Sequence, residues 1–250
     1  MLGRVSEPLD IPAAADSPAA AAVTAAAPEY VLPLVVHLEK EEPPGRTDAL
    51  QTAARAVLTL LADPRATGAG EWAAVVEAWQ DARIRKVVRR ARRGEWRRAE
   101  ALPGITVTGT AAEVRVYPPV PLDGWPKDLA KLQVSGTDLD DPAPPPAPAP
   151  GAPVLWLNPG LEMTAGKTMA QAGHAAQLAW WELTADQRAA WAAAGFPLAV
   201  RTADPADWRR LTASGLPVVR DAGFTEIAPG LTVAVEGGER YCPLPRLRRP

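Results

Sequence analysis

The chain has 250 residues, 27 Lys+Arg against 29 Asp+Glu, and a formal net charge of −2. That length fits one large domain or two of roughly 100 residues each. The single cysteine, Cys242, excludes an internal disulfide framework and a cysteine-based zinc site, and near-neutral charge argues against a generally basic nucleic-acid binder. No apolar run reaches the ~18 residues of a membrane helix. The N-terminus lacks a basic stretch followed by an apolar one, so no secretory signal is expected and the chain reads as soluble and cytoplasmic. Alanine supplies 50 residues and proline 28, the latter at about twice its usual frequency. Val, Leu, Ile and nine Trp still recur in blocks that can build a core.

Residues 1–28 are rich in Ala, Pro, Ser and Asp without periodicity, and are expected to be a disordered tail. Two folded segments follow, 29–136 and 153–240. Between them, 137–152 contains DPAPPPAPAP and is expected to be a stiff, extended linker. A last segment, 241–250, carries three prolines and three arginines and reads as a loose tail.

The first folded segment opens with a strand over 31–38, and Gly45-Arg46-Thr47 then starts an Ala-rich helix. A Trp-rich helical stretch over 71–80 leads to a strand near 86–88, then Trp96-Arg97-Arg98 and Leu102-Pro103. Alternating strands over 105–107 and 113–117 close it. The second segment repeats this order: a strand over 154–157, Gly166-Lys167-Thr168 opening an Ala-rich helix, a helical stretch over 186–194 and a strand over 198–201. Trp208-Arg209-Arg210, Leu216-Pro217 and a strand pair over 217–220 and 231–235 complete it. Six matching steps in one order point to an internal duplication. Strands alternating with helices imply α/β architecture. The expected fold is two tandem copies of a small three-layer α/β domain, each with a mixed, mostly four-stranded sheet.

From Arg83 to Arg98, nine of sixteen residues are basic and only Glu95 is acidic. Such a run is either a solvated face or a contact to a phosphate backbone, where clustered guanidiniums displace counterions.

The segment 163–181 reads MTAGKTMAQAGHAAQLAWW. At ~100° per residue, Met169, Ala172, Gly173, Ala176 and Trp180 share one side, which is the core face. A mid-helix glycine costs roughly 1 kcal/mol relative to alanine, so Gly173 implies tight packing, expected against the sheet. Lys167, Gln171 and His174 form a polar stripe opposite, which is either the solvent face or a site. Lys167 lies in the first turn, where the helix dipole mildly disfavours a cation and free backbone N–H groups favour an anion. A lysine there makes sense if a phosphate or carboxylate binds beside it, and Arg46 keeps a cation at the matching place in the first segment. The GKT step is not a P-loop: Gly160 and Gly166 enclose five residues rather than four, and Glu162 lies among them.

The segment 216–235 reads as a strand ending at Asp221, then a loop through Ala228-Pro229-Gly230 into a closing strand. Asp, Gly and Pro are also ordinary turn residues. In the functional reading, the Asp221 carboxylate and the hydroxyls of Thr225 and Thr232 face the Lys/Gln/His stripe across the sheet edge.

These two segments together carry a resemblance. Gly166-Lys167, Ala170-Gln171, His174-Ala175, Asp221-Ala222-Gly223, Thr225 and Ile227-Ala228-Pro229-Gly230 resemble the type 2 peptidyl-tRNA hydrolase family over about residues 153–236. The resemblance implies hydrolysis of the ester between a peptide and the terminal ribose of tRNA, with no metal or organic cofactor. The family's important Lys, Asp and Thr positions carry over to Lys167, Asp221 and Thr232, with His174 and Thr225 alongside and Gly166 and Gln171 as substrate contacts. Asp221 would orient or deprotonate the water, with His174 the competing base. Lys167 and the helix amides would stabilise the oxyanion or hold a phosphate, and the threonines would support by hydrogen bonding.

The sequence departs from the family in three places. The step from Gly230 to Thr232 is about one residue shorter, Phe224 stands where a basic residue is frequent, and the closing helix is matched only by 122–132 behind the first segment. The first segment has lost the chemistry: Ala53 replaces His174, and Val107-Thr108-Gly109 replace the neighbourhood of Asp221. Family members resemble homodimers, so the two segments are expected to form an intramolecular pseudo-dimer. In it the first copy would grip the tRNA backbone through Arg89, Arg90, Arg92 and Arg93. The alternative is a non-catalytic tRNA- or RNA-binding protein derived from the same family.

Overall fold

The structure, a computed structural model, describes residues 28–221 and 230–237. Thr225, Cys242, the terminal segment 241–250 and all but the last residue of 1–28 lie outside the described residues.

The first half runs β1 (Tyr30–His37), α1 (Arg46–Ala62), α2 (Ala73–Asp81), β2 (Lys86–Ala91), α3 (Arg93–Glu100), β3 (Ile105–Thr108) and β4 (Glu113–Val116). Next come a two-residue strand, β5 (Val120–Pro121), and a single helical turn, α4 (Lys127–Ala130). The second half runs β6 (Val154–Leu157), α5 (Ala165–Trp181), α6 (Ala185–Ala193), β7 (Ala199–Thr202), α7 (Pro205–Ala213), β8 (Val218–Asp221) and β9 (Gly230–Glu236). The strand orders are β2-β1-β4-β3, with β5 added on β1, and β7-β6-β9-β8. In both sheets the first pair is parallel and the others antiparallel. The mixed α/β architecture expected from the sequence is therefore present in both halves.

β1 is a nearly continuous apolar run buried on both sides, which suits an interior strand covered by helices on both faces. One face of the first sheet meets α1. The other packs Val35, Ala91 and Tyr117 against Trp96 and Ala99 of α3 and Leu129 of α4. In the second half, α5 covers the inner face and Leu211 of α7 packs with Ala203 and Ala234 on the outer one. The two inner faces share one core, with Leu34, Val36 and Val57 from the first half and Leu155, Leu157, Met169 and Ala176 from the second.

α1 and α5 meet in that shared core, and alanine lets their backbones approach closely. A Cβ on Gly173 would stand 3.0 Å from Val57 Cγ2 and 3.2 Å from Lys86 Cδ. The close approach predicted at Gly173 is real, but its partner is the other half rather than the helix's own sheet. Of the two readings of the polar stripe, the solvent face is the one that falls: this side of α5 packs on β2 of the first half, and 13 of the 17 helix residues are buried.

Three further departures have local causes. The helix expected over 122–132 shrinks to α4 because Pro126 occupies its N-cap and disfavours helical backbone at Trp125. α3 and α7 span the two Trp-Arg-Arg steps, where the sequence alone predicts no helix. α7 carries a clear start signal, with Pro205 at its first turn and the Asp204 carboxylate accepting from Ala206 N and Asp207 N at 2.9 and 2.8 Å. The start of the 137–152 segment is tied down rather than freely extended. Thr137 O accepts from Ala165 N and Asp140 O from Arg46 N, each at 3.2 Å. The Asp141 carboxylate accepts from Thr47 N at 2.8 Å and Thr47 Oγ1 at 2.6 Å. It thus caps the N-terminus of α1 from outside the helix. Among the described residues no helix is long and apolar enough to cross a membrane.

Candidate active site

The centre of the site is a hydrogen-bond chain across three elements. Thr232, fully buried on β9, donates its hydroxyl to Gln171 Oε1 at 2.7 Å. Gln171, 5 % exposed on α5, donates Nε2 to Asp221 Oδ2 at 2.7 Å at the end of β8. The donor and acceptor inventory fixes the direction: a hydroxyl donates to the amide oxygen, and the amide nitrogen is thereby turned toward a carboxylate that accepts. Thr232 is therefore one step behind the carboxylate.

One turn further along α5, His174 faces the first half. Its Nε2 lies 2.9 Å from Ile84 O. A carbonyl only accepts, so Nε2 carries the proton and Nδ1 keeps its lone pair. Nδ1 is buried and has no hydrogen-bond partner among the described residues. Lys86, 8 % exposed, donates Nζ to Gln177 Oε1 at 2.6 Å and Ile84 O at 3.1 Å, and lies 4.8 Å from the Trp79 ring centroid.

These residues border a groove of about 630 Å³ between β8 and the start of β2, a volume ordinary for a small-ligand site. Gln171, His174 and Asp221 line it together, with Ile84 and Lys86 from the first half. Arg83, Arg85 and Arg220 also border it, and Val31, Leu122, Leu178 and Val218 supply apolar surface. Lys167, half-buried, sits in the first turn of α5 four residues before Gln171 and is not among the groove-lining residues. Gly166 packs toward Thr137, whose Oγ1 would lie 3.5 Å from an added Cβ. A second cavity, about 400 Å³, flanks the start of α5 on the other side. Asp138, Asp140 and Glu162 outnumber Arg46 there, which is the wrong balance for a phosphate chain.

The four arginines proposed as a backbone grip divide into two groups. Arg89 donates to Leu132 O at 2.6 Å and Ala130 O at 3.2 Å and stacks on Trp125 at 4.3 Å. Arg90 donates to Ser135 O at 3.0 Å and to the Gln133 amide. Both guanidiniums hold the segment after α4. Arg92 and Arg93 are exposed, as are Arg97 and Arg98 on α3. Arg92 Nε reaches Leu38 O, and Arg93 faces Glu39 at 3.7 Å. Two of the first-half residues at the groove, Ile84 and Lys86, which meet His174 and Gln177, escape the sequence reading. They lie inside the basic run, but no local pattern separates Lys86 from its neighbours.

The corresponding corner of the first half is closed. Asp48 in the first turn of α1 accepts from Thr110 N, Ala111 N and Ala112 N at 3.0, 2.7 and 2.8 Å. Gly109 lies so close that an added Cβ would be 2.3 Å from both Asp48 Oδ1 and Thr52 Oγ1.

Burial pushes the Lys86 amine well below the ordinary lysine range. Burial, then the nearby Lys86, pushes His174 well below the ordinary histidine range, against a smaller upward pull from Ile84 O. Both groups bind fewer protons folded than unfolded in the windows between their depressed and ordinary values. Stability therefore rises with pH across those windows and falls as pH is lowered through them. Urea midpoints measured from mildly acid to mildly alkaline pH are expected to climb, and the climb on the acid side should flatten in His174→Asn.

Residues 153–238 match the family model of peptidyl-tRNA hydrolase PTH2. The matched span contains Lys167, Gln171, His174, Asp221 and Thr232. No curated protein matches the chain.

Proposed function

We propose that the protein hydrolyses the ester joining a peptide, or an N-blocked aminoacyl group, to the 3′ end of tRNA. The second half carries the chemistry. The observation that carries this reading is the Thr232–Gln171–Asp221 chain, which ends in a carboxylate at a groove edged by cations, inside the span that matches the family.

In this reading, Asp221 holds and polarises the attacking water, with its carboxylate oriented through Gln171. The water oxygen adds to the ester carbonyl carbon, and the bond to the ribose 3′-oxygen breaks as that oxygen takes up the proton lost by the water. Lys167 and the first-turn amides of α5 stabilise the oxyanion, or hold the phosphate next to the terminal ribose. Release of labelled peptide from N-blocked aminoacyl-tRNA tests the reading, comparing wild type with Lys167→Ala. Loss of turnover with tRNA binding retained is expected. A wild type that binds tRNA but never cleaves it would instead identify an RNA-binding relative of the family.

The tRNA backbone contact proposed for the first half rests on its exposed arginines. Neutralising Arg92, Arg93, Arg97 and Arg98 together is expected to weaken tRNA binding about tenfold or more and to lower the salt slope by ~0.9 for every phosphate no longer neutralised. The rate constant for cleavage of bound substrate should not change. Arg89→Ala and Arg90→Ala are expected to lower stability instead, because their partners are carbonyls of the chain itself.

A further inference from the structure

The polar contacts between the halves are unlike at the two ends. On one side Gln51 Oε1 of α1 accepts from Val200 N at 3.2 Å and Arg201 Nη1 at 3.3 Å, and on the other Lys86 and Ile84 O meet Gln177 and His174 of α5. With the halves aligned on Gly45-Arg46 and Gly166-Lys167, Ala53 and Ala56 of α1 stand where α5 has His174 and Gln177. Leu32 pairs with Lys86 in the first sheet, and its counterpart Pro153 lies beside Leu198 in the second, so Leu198 stands where the first half has Lys86. The molecule therefore holds two versions of one corner. One has apolar residues at these three positions, with Ala53 and Ala56 fully buried and Leu198 against the core. The other buries a lysine, a glutamine and one face of a histidine, and leaves His174 Nδ1 and Gln177 Nε2 without partners among the described residues. Packing does not require the polar set, since the same fold does without it a short distance away. Buried polar atoms lacking partners destabilise a fold, because the hydrogen bonds they gave up to water are not replaced. The polar corner is also the one that opens onto the groove with Gln171 and Asp221.

We propose that Lys86, from the first half, is a positioning residue for the site of the second. With the Ile84 carbonyl, which accepts from both Lys86 Nζ and His174 Nε2, it keeps His174 a neutral Nε2–H imidazole whose Nδ1 retains its lone pair, on a residue that lines the same groove as Asp221. An imidazolium would present only donors and would bring a counter-ion into the groove of the carboxylate that must hold the water. Among the described charged groups that line this groove, Arg83, Arg85, Lys86 and Arg220 oppose protonation of His174 by their sign and Asp221 favours it, with Arg85 already paired to Glu29 at 2.6 Å. Lys86 is the one among them that is almost wholly buried, where screening by solvent is weakest.

Two measurements test this, and only the second rests on the hydrolase reading. The chain has two histidines, so imidazole nitrogen NMR resolves each. His174 in wild type is expected to show a protonated Nε2 and a bare Nδ1 throughout the range where an ordinary histidine titrates. In Lys86→Met its midpoint should move up. In peptidyl-tRNA cleavage, the acid limb of the pH profile should move up with it, giving a loss in kcat that grows to about tenfold or more toward acid pH with little change in KM. A purely structural lysine would instead give a loss independent of pH, or none.

A wild-type His174 that carries its proton on Nδ1, or that titrates in the ordinary range, overturns the proposal. So does a folded Lys86→Met in which neither the midpoint nor the acid limb moves. If Lys86→Met does not fold, Lys86→Gln and the wild-type spectra remain decisive. A wild type without cleavage activity would defeat the hydrolase reading while the spectra still judge His174.

Discussion

Asp221→Asn is expected to lower peptidyl-tRNA cleavage by about 10²–10⁴-fold, the range lost with a general base, while leaving tRNA affinity within about twofold. Asparagine keeps the size of the side chain, and its amide oxygen can still accept from Gln171 Nε2. Its nitrogen is then turned toward the water, placing a donor where an acceptor is needed. Thr232→Val acts from behind. It removes the hydroxyl that donates to Gln171 Oε1 in a fully buried position, which frees the amide to turn over. The cost is about 1–3 kcal/mol, or roughly 5- to 150-fold in rate if it falls entirely on the transition state. If the three residues act as one chain, the double variant Thr232→Val/Asp221→Asn should be no slower than Asp221→Asn alone. Single-turnover rates decide it, and full additivity in the double variant would break the chain into independent parts.

Gly109→Val should produce the largest loss of stability, about 3 kcal/mol or more. Even its Cβ would fall 2.3 Å from Asp48 Oδ1 and Thr52 Oγ1. Neither can move without cost. Asp48 holds three successive backbone N–H groups of the β3–β4 turn, and Thr52 is fully buried and accepts from Arg55. Because one core runs through both halves, the damage should not stay in the first. Fluorescence and peptide release should disappear at the same, lowered urea midpoint. Gly160→Ala is the control: its Cβ would meet only Asn158 Oδ1 at 3.4 Å, so stability should change by less than about 0.5 kcal/mol. A midpoint for Gly109→Val equal to wild type would mean that the turn is not held by Asp48.

Much of the fold was legible because it is written twice. The matched order of strand, Gly-basic-Thr helix, strand and closing pair anticipates two sheets with the same strand order. Gln171 and Asp221 were legible as neighbours for the same reason that they matter: a helix stripe and a strand end converge on one sheet edge. What periodicity could not reveal is the direction in which the stripe faces. Polar residues on a helix read as solvent-facing unless each has a partner, and the partners here, Ile84 O, Lys86 and Thr232, lie from 61 to 91 residues away in sequence. Gly173 shows the same limit, since a glycine announces a close neighbour without naming it. The basic run misled in the opposite sense. Arg89 and Arg90 read as available charge, yet carbonyls of residues 130, 132 and 135 occupy them.

Joining the halves in one chain changes how the interface between α1 and α5 can vary. In a symmetric pair of identical subunits every substitution appears twice, so a lysine introduced at one corner is introduced at both, and each must tolerate it. Here a change enters once. One corner can keep alanine and leucine for cohesion while the other carries Lys86, His174 and Gln177. The tether also makes the encounter of the halves intramolecular. Dilution then does not separate them, and the urea midpoint should stay constant across protein concentrations that would dissociate a pair of separate chains.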